Sequence, residues 1–250
     1  MNAPSSIDDL GVDGALYLLA LLIAQSHRRA VTPTRQFTLQ ALALLRDQGV
    51  IALPWPLTRW EVEPEAERTP FEDLQWRYSW STCPRQELIE QLGAYLEGVP
   101  LTEEGIELRV RLWQQRVRAE SQQYLEWHLA RSNLPIEWAS DSQFLIDLPG
   151  HALSLGQWRY CLWAAVRHGS TLVAQLAHPL SSIRERMFDE ARRRADAIAS
   201  GRWAVPGFDA RADEPGSALT RVYLEHLAQI GLAFYQVPPT ATPWRREMAA

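Results

Sequence analysis

The sequence predicts a mainly α-helical protein with a small β-hairpin in its N-terminal part, and three observations predict it. Apolar residues recur at helical spacing through most of the 250 residues. Polar caps at one end and Gly or Pro at the other bracket those segments. Alternating, β-prone runs are confined to the neighbourhoods of Val50 and Trp76. With 46% hydrophobic residues the chain has enough apolar side chain to build a core.

Residues 1–12 read as a loose leader. Asp13 is placed to cap a first helix, with Gly14 in its first turn. Between Ala15 and Ala24, Leu16, Leu18, Leu19, Leu21, Leu22 and Ile23 point all round the axis, so this helix is expected at the centre of a core. Thr32-Pro33-Thr34 supplies a hydroxyl cap and a proline near the first helical position of a second helix, Thr34 to Gln48. Its buried stripe is expected to be Phe37, Ala41, Leu44 and Leu45 with Leu42 beside it, and Gly49 to end it in a left-handed conformation. Val50 to Leu53 reads as a strand stopped by Pro54-Trp55-Pro56. The acidic stretch Glu61 to Pro70 reads as a hairpin tip and Gln75 to Trp80 as the returning strand. Helix, turn, helix, strand and returning strand is the order of a winged-helix-like module. The N-terminal unit, residues 1–100, resembles one; such modules bind DNA, bind proteins or serve as scaffold.

Pro84 opens another helix that ends at Gly98, and residues 101–250 then read as a second, helical domain. Thr102 starts a helix to about Arg131, roughly 40 Å long. Its seam of Ile106, Val110, Trp113, Val117, Tyr124 and His128 breaks at Glu120 and Ser121, which favours packing within its own domain over a coiled coil. Leu134 to Trp138 and Phe144 to Leu148 read as strands or extended connections. Ser154-Leu155-Gly156-Gln157 is a capping box for a helix to about His168, with Gly169 beyond it. Ser182-Ile183-Arg184-Glu185 is a second capping box, and that helix ends at Gly201. A last helix is expected from Ala218 to about Phe234 with Leu219, Tyr223, Leu227 and Ile230 on one face. Pro238, Pro239 and Pro243 mark a tail expected not to be helical.

Composition narrows the chemistry. The formal charge is −5, which argues against a general polyanion-binding surface. Every basic residue is Arg, so Schiff-base chemistry and a phosphate-loop lysine are excluded. Cys83 and Cys161 do not make a metal-type pair and are expected as reduced thiols in a cytoplasmic protein. His27, His128, His151, His168, His178 and His226 show no metal-ligand spacing, so no metal and no cofactor are expected. The run Ala15 to Ala24 is expected to be too short to span a bilayer, and no membrane partner is expected.

One stretch invites a catalytic reading. Asp147-Leu148-Pro149-Gly150-His151 resembles a segment common in α/β-hydrolases, and Ala152-Leu153-Ser154-Leu155-Gly156 resembles a nucleophile elbow with Ala for the first Gly. In that family the two motifs stand well apart; here they overlap. The alternating βα pattern is absent, and Asp209 and His226 sit in a loop and in a helical pattern. Ser154 is accounted for as a cap, so no catalytic residue is assigned.

Two other features point to partners. Arg35, Gln36 and Gln40, with Arg46 further along, lie on the outer side of the second helix and are residue types that read base edges. The acidic hairpin tip beside them weighs against DNA. Arg184, Arg186, Arg192, Arg193 and Arg194 crowd one helix, where Asp189 to Arg193 and Glu190 to Arg194 are i,i+4 pairs. The eleven Trp include Trp55, Trp60, Trp203 and Trp244 in or beside Pro-rich connections, where full burial is hard. The expectation is therefore a non-catalytic cytoplasmic protein–protein interaction or assembly subunit. Its candidate contacts are Arg184, Arg192, Arg193, Trp203 and Trp244, and its partner is another protein. A DNA-binding regulator of the winged helix-turn-helix kind is the alternative, and an enzyme of another class the second.

Overall fold

A computed structural model describes residues 4, 6–52, 76–78, 83–142, 146, 152–175, 179–205 and 216–248. Of these, 74% are helical and 2% lie in strands, so the chain is mainly helical. In chain order the elements are α1 (Gly11–His27), α2 (Arg35–Asp47), β1 (Ile51–Ala52), β2 (Arg77–Tyr78), α3 (Arg85–Glu97) and α4 (Glu103–Arg131). A 3-10 segment (Ile136–Asp141) follows, then α5 (Leu155–Ala174), α6 (Leu180–Ala199), α7 (Ala218–Val222) continuing as a π-helical segment (Tyr223–Ala228), α8 (Ala233–Gln236) and α9 (Thr242–Met248). Two compact units result: Met1–Pro100 with Pro215–Gln229, and Leu101–Glu214 with Ile230–Ala250.

In the first unit α1 is the core. Ala15, Leu16, Leu18, Leu19, Ala20, Leu21 and Leu22 are buried on every side, against α2, α3 and α7. Each buried Leu contributes roughly 1.5–3 kcal/mol. Asp13 is not the cap: a 3-10 turn (Asp8–Leu10) leads into a helix that starts at Gly11, and Asp13 sits inside its first turn, where negative charge suits the helix dipole. The apolar helical stretch Asp8–His27 is therefore longer than the expected ten-residue run, and by length and composition it could cross a membrane. Its burial among three neighbouring helices accounts for the same apolarity.

Thr34 caps α2 by accepting from Phe37 N at 3.3 Å. Pro33 lies before the cap rather than at the first helical position. The buried stripe is Thr38, Ala41, Leu42 and Leu45, rotated from the expected one because Phe37 lies only half-buried, edge-on to Tyr17 at 6.0 Å. Gly49 has φ +71°, and the bonds Gly49 N to Arg46 O (2.8 Å) and Val50 N to Leu45 O (2.9 Å) close a Schellman turn. That turn delivers β1 antiparallel to β2, with Ile51 opposite Tyr78 and Ala52 opposite Arg77. The expected hairpin tip, Glu61 to Pro70, lies outside the described residues, as do Trp55 and Trp60.

The expected helix Ala218 to Phe234 is interrupted. Ser217 caps α7, the chain widens into the π-helical segment, and Gln229 turns left-handed at φ 54°. Leu219, Tyr223 and Leu227 are buried, while Ile230 lies past the break. Gly93 of α3 lets the π segment approach closely: a Cβ there would stand 3.1 Å from the His226 ring.

In the second unit, Thr102 caps α4 by accepting from Gly105 N at 3.2 Å, and α4 packs on the 3-10 segment and α5. Trp113 stacks on Phe234 at 6.1 Å and meets Trp244 edge-on at 5.9 Å. Trp244 is 2% exposed, which corrects the expectation of an exposed ring in a non-helical tail. Pro243 stands at the start of α9, where a missing N–H costs nothing. The capping box at Ser154 is present in both directions. Helix α5 runs through Gly169 to Ala174 because Leu172 is buried beyond it, and that packing outweighs about 1 kcal/mol of glycine propensity. Residues 136–141 are 3-10 rather than extended. Ser182 lies inside α6, which begins after Pro179 with no side-chain cap.

Candidate interaction surface

Helix α6 presents two faces. Ile183, Met187, Ala191, Ala195 and Ile198 are buried on the side that meets α5, and the small alanines allow close approach. The other face carries charge. Arg184 donates from Nε to Asp141 Oδ2 at 2.6 Å and also from Nη2, clamping α6 to the 3-10 segment. Arg193 bonds Glu190 through Nε and Nη2 at 2.8 to 2.9 Å. Arg194 donates to the same carboxylate at 2.6 Å and to the Tyr160 hydroxyl at 2.6 Å. Burial pushes the Glu190 carboxyl up, but the bonds and charges of Arg193 and Arg194 outweigh it and hold it below the usual range.

The expected Glu190–Arg194 pair is therefore present, whereas Asp189–Arg193 is not. Glu190 takes Arg193 at i+3, and Asp189 is left with a 3.4 Å contact to Arg192. Past the helix end, Gly201 turns left-handed and Trp203 N bonds Ala197 O at 3.1 Å. This folds the Trp203 ring back to 5.5 Å from both the Arg193 and Arg194 guanidinium groups. Trp203 is 37% exposed.

An open groove of about 570 Å³ runs along this face, lined by Asp141, Ser181, Arg184, Glu185, Phe188, Asp189 and Arg192. Phe188 is half-buried within it. The charges around that ring alternate in sign, so no single-sign field forms. Of the five expected contacts, Arg184 and Arg192 line this groove, whereas Arg193 stands half a turn round the helix from Arg184, with Trp203 against it and Arg194. Trp244 belongs to the core. Asp141, Phe188 and Tyr160 were not singled out from sequence: Asp141 and Tyr160 meet α6 only through the fold, and Phe188 on α6 shows its half-burial only there.

The other candidates are placed as follows. Arg35, Gln36 and Gln40 are exposed on α2, and Arg46 is bonded to Asp47 at 2.8 and 2.6 Å. Ser154 is fully buried in its cap. His226 Nδ1 donates to Glu97 Oε1 at 2.8 Å; Asp147 to His151 and Asp209 lie outside the described residues. Among the described residues no cluster of His, Cys, Asp and Glu suits a metal ion.

A second polar feature is buried rather than exposed. Glu120 and Ser121, the apparent seam break, are 4% and 0% exposed, and Arg109, Arg116, Gln122 and Arg159 are buried with them. Arg159 Nη2 stands 3.5 Å from Glu120 Oε2, and its guanidinium lies 5.3 Å from the Tyr124 ring and 5.6 Å from the Tyr235 ring. The break therefore marks an internal polar layer. No protein-family model, curated protein or solved structure matches this chain.

Proposed function

We propose that the chain is a non-catalytic, cytoplasmic protein–protein interaction or assembly subunit that docks another protein on the outer face of α6. The observation that carries this reading is the groove over Phe188, a half-buried aromatic framed by charged side chains. A central ring with a polar rim is the anatomy of a docking hot spot. A mixed-sign rim favours a folded protein surface over a polyanion. The buried, capped position of Ser154 also weighs against hydrolysis.

The winged-helix likeness of the N-terminal unit remains part of this proposal, supported by the order α1, α2, β1, β2. Exposed Arg35, Gln36 and Gln40 are what a DNA-binding alternative would use.

The test places a photo-crosslinking residue at Phe188 and, as a control, at exposed Gln91 on α3, and irradiates in extract of the native host. Discrete protein adducts are expected at Phe188, and they are expected to vanish when Arg184→Glu and Arg192→Glu are added. Identical adduct patterns at both positions would reject the docking face. Submicromolar capture of duplex DNA that is lost in Arg35→Ala/Gln40→Ala would favour the alternative.

A further inference from the structure

A second cavity in the helical unit, of about 180 Å³, shares no lining residue with the α6 groove. Its floor is apolar: Val117 of α4, Leu153 and Trp158 line it, and all three are buried. Half-buried Pro239, between α8 and α9, adds a second flat ring to that of Trp158. The mouth is polar. Gln114 and Arg118 line it four residues apart on α4, one turn from each other on one face, and both are exposed. Ala152, just before the α5 cap, is exposed as well. Among the described lining residues Arg118 is the only charged one.

We propose that this cavity binds a small arene carboxylate, one six-membered ring bearing one carboxylate, with the ring on the floor and the carboxylate at Arg118. The site is independent of the docking face on α6 and stands or falls without it.

Three properties select that ligand. Size sets the body: an apolar cavity of about 150 Å³ holds a benzene molecule, and this one is slightly larger. The walls favour an aromatic ring, which gains edge-to-face or offset contact with the Trp158 indole that an alkyl chain does not. The mouth sets the charge. A guanidinium takes a carboxylate in a two-pronged bond, and its five donors let it do so while keeping other contacts. Gln114 offers a carboxamide donor on the same face. A cation would meet Arg118 as a like charge, and an inorganic anion would leave the apolar floor uncovered.

Fluorine NMR on the full chain with 4-fluorobenzoate tests the site. Saturable, single-site binding is expected with a midpoint below about 1 mM, the weak range proper to so small a ligand. Benzoate is expected to displace the probe and acetate is not. Arg118→Gln is expected to weaken 4-fluorobenzoate by about tenfold or more, the loss of a charge-assisted pair, while uncharged 4-fluorobenzamide changes by less than about twofold. Ala152→Phe places a ring in the mouth and is expected to abolish binding of both probes. Ala152 is exposed, so the fold is expected to persist, and a circular-dichroism melt checks it. Should that melt shift, Gln114→Trp blocks the same mouth from α4.

The absence of saturable binding up to about 10 mM would overturn the proposal. So would displacement by acetate, binding that survives a folded mouth-blocking variant, or an Arg118→Gln protein that loses both probes equally.

Discussion

Replacing Glu120 by Gln is expected to destabilise the helical unit by roughly 3–5 kcal/mol, the usual cost of breaking a buried ion pair. Arg159 and Glu120 side chains are each 5% exposed and their charged atoms stand 3.5 Å apart. At an effective dielectric of about 20 their attraction is on the order of 5 kcal/mol. Desolvation of two ions consumes several kcal/mol each, so the intact pair contributes little net stability. Removing the carboxylate charge alone keeps the desolvation of Arg159 and discards the attraction that offset it.

Replacing both partners removes both penalties. Glu120→Met/Arg159→Met is therefore expected to cost less than Glu120→Met and Arg159→Met combined, although it also loses the arginine's contacts with the Tyr124 and Tyr235 rings. Urea unfolding followed by tryptophan fluorescence measures all four members of the cycle. A Glu120→Gln protein within about 0.5 kcal/mol of wild type would refute the reasoning, since that is the range of neutral surface changes. A double variant less stable than the two single losses combined would refute it as well.

Two further expectations are independent of that layer. Ser154→Ala removes a fully buried N-cap hydroxyl that accepts from Gln157 N at 3.2 Å, so a loss near the upper end of about 0.5–2 kcal/mol is expected in thermal melts; an unchanged melting temperature would contradict the cap. Burial pushes the Cys161 thiol up to about 12, with opposing help from Arg194 too small to cancel it. Iodoacetamide is therefore expected to label half-buried Cys83 but not Cys161 in the folded chain at both pH 8 and pH 10. Mass spectrometry reads the sites, and equal labelling of the two would reject the assignment.

The elements legible in the sequence are those whose ends are fixed by their own neighbours. Thr34, Thr102 and Ser154 each accept the backbone hydrogen bond that their spacing implied. Gly49 adopts the left-handed turn expected of it, and Gly201, expected only to end its helix, does so in the same conformation. Where packing decides, local signs misled. Gly169 stops nothing because Leu172 is buried beyond it, and the Ser182 box goes unused because Pro179 starts α6 earlier. The tetrapeptide Gln-Trp-Arg-Tyr occurs twice and reads as strand first and helix second from its flanks; Arg77-Tyr78 lies in β2 and Gln157 to Tyr160 in α5, as expected.

The surface was half legible. Arg184 and Arg192 fall within a quarter turn of each other by periodicity alone, but Asp141 comes from 43 residues away, a distance no periodicity encodes. Burial of Glu120 and Trp244 was likewise invisible, because it depends on which neighbours close over them.

The break at Gln229 has a consequence for how the protein is made. Ala218 N and Leu219 N bond Ala30 O and Val31 O, both at 2.9 Å, and α7 covers one side of α1. The first unit is therefore closed by a segment synthesised more than a hundred residues after Pro100. At 5–20 residues per second the wait is on the order of 10 s. During it, α1 lacks one of the helices that later pack on it. A fragment ending at Pro100 is left permanently in that half-built state, and supplying the peptide 215–229 separately would finish it.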